Sequence, residues 1–310
     1  MKLPFKHLLS AGMLSAALLT THTASAALIA YEGFDYDSPL SNGDGLGSSN
    51  GGTGWTEGWN SIGASTGEYF TPGLSHSGLE SSGGGVIWKF RNGGDGRAYD
   101  ATAGGTVDLS QPGSESWFSF LVQQDTAPTT GNGRLVNFYT GSAGSNNGFG
   151  VTFLTDGSIA ARITGNNGTS STETMGFGDA VYDSNGNLTG GTFGSGELSL
   201  IIGRLNFGGG TTGDDDTTLD LWLNPNDFSS VAALGTADAT NTRTVADLGN
   251  YSFGSSTEMY LRTNDRDEPV NFDEIRLGTT LGDVTPIPEP SAVALLLGGL
   301  AFITVFRRRR

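Results

Sequence analysis

The chain contains no cysteine. Disulfides, thiolate-held zinc, iron–sulfur clusters and thiol nucleophiles are all excluded, so the fold must be held by its core. Positive charge is scarce too, with 16 Lys and Arg against 32 Asp and Glu over 310 residues. Between residues 27 and 286 the count is 10 basic to 31 acidic, a net charge of −21, which excludes a nucleic-acid partner. Of the three histidines only His76 lies in that stretch, so a His-based triad would have to use it. It sits in the loop sequence Gly-Leu-Ser-His-Ser-Gly at 73–78, where a solvated histidine is expected, and no Gly-x-Ser-x-Gly stands on a strand-to-helix turn. What the chain has in excess is glycine. Fifty glycines are more than twice the ~7% average share, without the period of three that collagen requires. With 36% apolar residues, among them five Trp, eight Tyr and 17 Phe, the chain can still build a core.

The two ends carry sorting signals. Residues 1–26 combine Lys2 and Lys6, an apolar run at 8–19, and Ala24-Ser25-Ala26. This predicts a secretory signal peptide cut by signal peptidase between Ala26 and Ala27. Near the other end, residues 291–306 carry no charge. As a helix they would reach roughly 24 Å, enough to span a membrane if the flanking arginines snorkel. Arg307, Arg308, Arg309 and Arg310 are expected on the cytoplasmic side, leaving the preceding residues outside. The expected organisation is signal peptide 1–26, one domain 27–281, linker 282–290, transmembrane helix 291–306 and an arginine cluster 307–310.

Pro288-Glu289-Pro290, the short apolar segment and the terminal arginines stand in the order of the PEP-CTERM sorting signal of exopolysaccharide-producing Gram-negative bacteria, which this end of the chain resembles. The resemblance implies recognition and cleavage by an exosortase near Pro288, Glu289 and Pro290, as substrate and not as catalyst. It also implies delivery from the inner membrane to the cell surface or extracellular matrix. The two prolines fix an extended backbone that a peptidase can grip.

Between the ends, apolar residues alternate with polar ones in short runs and no helical stripe is sustained. Phe149, Val151 and Phe153 share one face, as do Leu198, Leu200 and Ile202. Leu219, Leu221 and Leu223 line a strand whose Thr218, Asp220 and Trp222 point the other way. Further runs lie at 27–31, 86–90, 115–122, 134–140, 159–163, 259–263 and 270–277, about ten strands in all. Turn dipeptides such as Asp156-Gly157, Asn167-Gly168 and Asn185-Gly186 separate them. The pattern predicts an all-β, two-sheet antiparallel sandwich. The segments Tyr31-Glu32-Gly33-Phe34-Asp35-Tyr36, Ile202-Gly203-Arg204-Leu205-Asn206-Phe207 and Phe272-Asp273-Glu274-Ile275-Arg276-Leu277-Gly278 are similar to exported proteins with a laminin-G or concanavalin-like jelly roll. That resemblance implies that the closing strand lies beside the first.

Candidate chemistry is sparse. The Glu-x-Asp-x-x-Glu string of concanavalin-like hydrolases is absent. Asp273 and Glu274, adjacent on a strand, are expected to point to opposite faces and to meet an arginine such as Arg276 or Arg262. Asp214-Asp215-Asp216 and Asp265-x-Asp267 are the densest acidic clusters and candidate calcium ligands, though a solvated hairpin tip explains them as well. Trp55 and Trp59, in a glycine-rich loop, are candidate sugar-stacking platforms, whereas Trp88, Trp117 and Trp222 are expected in the core or at its rim. The expectation is a non-enzymatic exported protein, structural or glycan-binding and associated with exopolysaccharide. The alternative is a polysaccharide-degrading hydrolase or lyase on the same scaffold.

Overall fold

The computed structural model describes residues 28–36, 40–41, 43–63, 67–81, 83–88, 93–99, 113–124, 133–140, 148–153, 159–164, 198–208, 216–243, 257–263 and 270–286. Its strands are β1 (Leu28–Glu32), β2 (Asn60–Gly63), β3 (Glu68–Phe70), β4 (Gly85–Trp88), β5 (Gly93–Tyr99), β6 (Ser114–Gln124), β7 (Gly133–Thr140), β8 (Gly148–Phe153), β9 (Ile159–Thr164), β10 (Leu198–Phe207), β11 (Thr217–Leu223), β12 (Ala239–Arg243), β13 (Thr257–Thr263) and β14 (Val270–Gly278). Two single-turn helices, α1 (Val231–Leu234) and α2 (Leu281–Val284), complete the described elements. The strands form two antiparallel sheets. The larger runs β12-β11-β10-β6-β14-β4-β3, with β1 also on β14, and the smaller runs β2-β5-β13-β7-β8-β9.

β6 shows how sequence becomes architecture. Phe118, Phe120 and Val122 point between the sheets, while Trp117 and Leu121 face the opposite side. Inside, Phe118 meets Phe138 and Phe149 of the smaller sheet at ring distances of 5.3 and 5.9 Å, and Phe120 meets Phe272 at 6.4 Å. Each such buried ring contributes on the order of 2–3 kcal/mol from its apolar area. The larger sheet also has an apolar outer patch of Trp117, Leu121, Leu200, Ile202 and Trp222. It is covered by Leu79, Leu234, Leu281 and Val284 from the 73–81 segment and the two helices. The alternations read from the sequence for β10 and β11 are those observed, with Trp222 on the outer side, and on β8 Phe149 and Val151 share the inner face.

The first and last strands pair as expected, Leu28 opposite Gly278 and Glu32 opposite Ile275. β14 gives one edge to β6 and divides the other between β4, at Val270, Asn271 and Phe272, and β1. The division falls at a bulge between Asp273 and Arg276. It reverses the alternation, so that Phe272 and then Ile275 and Leu277 all reach the inter-sheet core. Residues 282–286, expected to belong to a linker, are held against the body. Leu281 and Val284 are buried in α2 and the chain stays bonded to the body through Pro286, because two apolar side chains here complete the outer patch. Among the described residues no helix is long and apolar enough to cross a membrane. Residues 1–27 and 287–310, which hold the cleavage site and the sorting motif, lie outside the described residues, as do the turn dipeptides at 156, 167 and 185.

Gly203 faces inward on β10, where the Phe118 ring occupies the space a Cβ would need. Gly203→Ala is expected to cost about 1–3 kcal/mol by overpacking, read as a lower urea midpoint. The loss should shrink when Phe118→Leu is present in the same chain. Equal losses in both backgrounds would mean that the ring is not the obstacle.

Candidate functional site

The sequence singles out the 43–59 loop and the closing strand, and the structure builds a buried charged node from each. Glu32 on β1 and Arg97 on β5 form an ion pair between the sheets, with both side chains fully buried. Arg97 also donates from Nε to the Glu57 carbonyl at 3.0 Å, from Nη1 to the Gly51 carbonyl at 3.0 Å and from Nη2 to Asn50 Oδ1 at 2.6 Å. Its guanidinium lies 4.8 Å from the Trp55 ring centre and 5.6 Å from that of Trp59. The other Glu32 oxygen accepts from the Phe34 N–H at 2.8 Å. Burial pushes Glu32 up to about 7, against the pull of Arg97.

This node corrects one sequence expectation. Trp59 cannot serve as a sugar platform, because it is 3% exposed, stacks on Phe34 and donates its indole N–H to Glu32 and Tyr36. Trp55 is half-buried, with its N–H on the Tyr31 carbonyl at 2.8 Å and its ring edge-on to Tyr99. Both tryptophans pin the glycine-rich loop down onto the sheets. Its glycines permit the close approach: Gly54, at φ 80°, leaves no room for a side chain against the Ile29 carbonyl.

The second node lies at the bulge. Asp273 and Glu274 do not take opposite faces, because Glu274 sits at φ 54°. That conformation is costly for a non-glycine residue. Here it turns the Glu274 carboxylate toward Arg276 Nη2 at 2.6 Å and the Tyr31 hydroxyl at 3.0 Å, on the side where Asp273 accepts from the Leu74 N–H at 2.7 Å. The expected pairing with Arg276 is present, and the Arg276 guanidinium also lies 4.6 Å from the Tyr31 ring centre. Arg262 side-chain contacts lie outside what is described. Burial, reinforced by the charge of Glu274, pushes Asp273 up to about 9, so it stays protonated at neutral pH.

Exposed polar chemistry lies elsewhere, on the larger sheet's outer face at the border of the covered apolar patch. Trp117, Arg204, Asp220 and Thr240 stand side by side on β6, β10, β11 and β12. Beside them runs a second row of Glu115, Asn206, Thr218 and Thr242, about 7 Å away at two residues along each strand. Asn206, Thr240 and Thr242 are exposed. The Arg204 guanidinium is 5.5 and 5.7 Å from the ring centres of Trp117 and Trp222, whose rings stack at 5.9 Å. Its Nη2 donates to Asp220 at 2.7 Å, and Asp220 also accepts from the Thr240 hydroxyl at 2.7 Å. A planar donor is thus held among hydroxyl, amide and carboxylate groups. The sequence showed Thr218 and Asp220 facing away from the core, but register across four strands is non-local and joined them to no site.

Of the candidate calcium ligands, Asp214, Asp215, Asp265 and Asp267 lie outside the described residues, and Asp216 is exposed. No group of three or more His, Asp or Glu placed to hold a metal occurs among the described residues. His76, expected to be solvated, instead leans its ring on Phe228 at 6.3 Å.

No protein-family model matches the chain, and no curated protein matches it. Among solved structures, it is similar to the receptor-binding domain of botulinum neurotoxin mosaic serotype C/D, with a TM-score of 0.46 and 10% identity over 82% of this chain and 48% of that one. A second is botulinum neurotoxin type C, from work describing cell entry dependent on two ganglioside molecules, with a TM-score of 0.45 and 11% identity over 89% and 51% of the two chains. A third is the binding domain of botulinum neurotoxin DC in complex with rat synaptotagmin II, with a TM-score of 0.45 and 10% identity over 83% and 48%. The chain spans about half the length of these structures.

Removing one partner of the inter-sheet pair strands a buried charge. Glu32→Ala is therefore expected to cost about 3–5 kcal/mol, with part of that recovered when Arg97→Met is added. Urea unfolding of the single and double variants checks this, and an additive double variant would contradict it. The pH dependence has a defined sign. Glu32 and Asp273 hold protons more tightly folded than unfolded, where their values are 4.5 and 3.8. Their contribution is complete below about pH 4 and is lost as pH rises toward 9. Unfolding midpoints across that range should fall, and the decline above pH 7 should flatten in Asp273→Asn.

Proposed function

We propose that this is an exported surface or matrix protein whose sandwich binds glycan through the polar part of the larger sheet's outer face, with no catalytic role. The observation that carries the binding reading is the double row of Arg204, Asp220, Thr240, Asn206, Thr218 and Thr242. Asn206, Thr240 and Thr242 in it are exposed, and its side chains can donate to and accept from sugar hydroxyls. The pairing of the first and last strands supports the assignment of the sandwich to the concanavalin or laminin-G type of jelly roll. The non-enzymatic reading is supported by Asp273 and Glu274, the adjacent carboxyl groups of the closing strand, which are buried and bonded to the 73–81 segment and to Arg276.

The delivery route rests on the sequence signals. Signal peptidase would release the chain at Ala26, the 291–306 segment would hold it in the inner membrane, and an exosortase would act at Pro288, Glu289 and Pro290. The exopolysaccharide of the producing cell is the ligand class that this route would bring into contact with the polar face.

Two measurements test the proposal. In affinity electrophoresis through exopolysaccharide gels, Asn206→Ala with Thr242→Ala is expected to weaken retention about tenfold, the loss of a few hydrogen bonds, without moving the melting temperature. Trp59→Ala should act only through stability. Unchanged retention in the Asn206 and Thr242 variant would exclude this face. Deleting residues 307–310 should leave unprocessed precursor in cells, and normal maturation of that variant would refute the sorting route.

A further inference from the structure

The chain leaves the sandwich along a strap, residues 279–286, laid over the outer face of the larger sheet. Four sets of contacts hold it. Asp283 Oδ2 accepts from the N–H groups of Thr279 and Thr280 at 3.0 and 2.8 Å, closing the turn out of β14. Leu281 and Val284 are buried in the outer apolar patch with Trp117 and Leu121. The Ser119 hydroxyl donates to the Val284 carbonyl. Finally, the Glu80 N–H donates to the Pro286 carbonyl at 3.0 Å, while the Glu80 carbonyl accepts from Arg276 Nη2 at 2.6 Å. Arg276 therefore joins the bulge carboxylate Glu274 to the segment that grips the last described residue.

The strap's attachments differ in kind from those of the sheet it covers. β6 and β10 are joined by a continuous ladder of ten residue pairs. α2 is a single turn held by a few bonds and two side chains, and such a unit can open with far less free energy than the sheet. Its last residue, Pro286, is separated from Pro288 by one residue. Docked, the strap leaves one residue of sequence, Ile287, between the held chain and Pro288. Released, its eight residues would add roughly 28 Å of extended chain between body and motif.

We propose that the strap 279–286 is a latch, bolted by Arg276 through Glu80 and by Ser119 through Val284. Its opening sets how closely a processing peptidase can approach the chain beyond Pro286. The latch itself is a property of the sandwich, and its consequence for processing rests on the sorting route proposed above.

Hydrogen exchange on the full-length chain in detergent, joined to a maturation assay in cells, tests this. Ser119→Ala removes one hydrogen bond, and Arg276→Lys keeps a cation for Glu274 while losing the planar fork. Each is expected to speed exchange at the Glu80, Asp283 and Thr285 amides about fivefold, to leave the β10 amides unchanged, and to speed C-terminal maturation. Strap and β10 amides exchanging in step in both variants would overturn the latch, since the strap would then open only with the whole sheet. Faster strap exchange with an unchanged maturation rate would overturn the control of access. If the unmutated chain is never matured, the sorting route fails instead, and the exchange data still decide the latch.

Discussion

The interaction on which the rest of the sandwich depends is the ion pair between Glu32 and Arg97, because it joins the two sheets where neither can be joined by backbone. Taking both charges out of water is expensive and is offset only when every remaining donor finds an acceptor. The 43–59 loop supplies those acceptors through Asn50, Gly51 and Glu57, and two indoles flank the guanidinium. The loop is therefore ordered by the pair and completes it. A pair of apolar residues in the same space would hold the sheets together as well or better, but it would not specify which loop closes that side. The charge selects the partner more than it adds stability.

The bulge in β14 solves a related problem. A single strand edge must serve β4 and then β1, and a regular strand would keep one parity throughout. One extra residue shifts the alternation, delivers Ile275 and Leu277 to the core after Phe272, and leaves Asp273 and Glu274 together on the outer side. Two buried carboxyl groups in one place are tolerable because one is protonated and the other is paired with Arg276. The left-handed backbone at Glu274 is the local cost of the two-partner edge.

Much of the fold was legible because alternation is a local signal. β8, β10 and β11 are runs in which apolar residues recur at every second place, and turn chemistry bounds them. β5 was missed because Gly93–Tyr99 is mostly glycine and charge, and its place in the sheet comes from β2 and β13 on either side. β12, Ala-Thr-Asn-Thr-Arg, is polar on both faces, and its buried Asn241 reaches the Ala161 carbonyl across the sandwich edge. The expected opposition of Asp273 and Glu274 failed because a bulge is a tertiary accommodation with no local signature. Trp59 was misassigned for a different reason. A tryptophan among glycines looks exposed until the acid and arginine that bury it, 27 and 38 residues away in opposite directions, are brought together.

The pairing of first and last strands also governs the order in which the molecule can be made. β14 sits between β6 and the β1 and β4 edge, and Tyr31 and Glu274 are 243 residues apart in the chain. Among the described strands β1 pairs only with β14, and β4 with β3 besides β14, so until the final strand has emerged neither is joined to β6 and the Arg276 contacts cannot form. Such long-range closure makes for slow folding. Of the early strands, β1 must therefore wait for the end of the chain to find its partner strand. Synthesis from the N-terminus therefore leaves the larger sheet in two parts, β3 with β4 and β6 with β10, β11 and β12, and the last strand is the seam that makes them one.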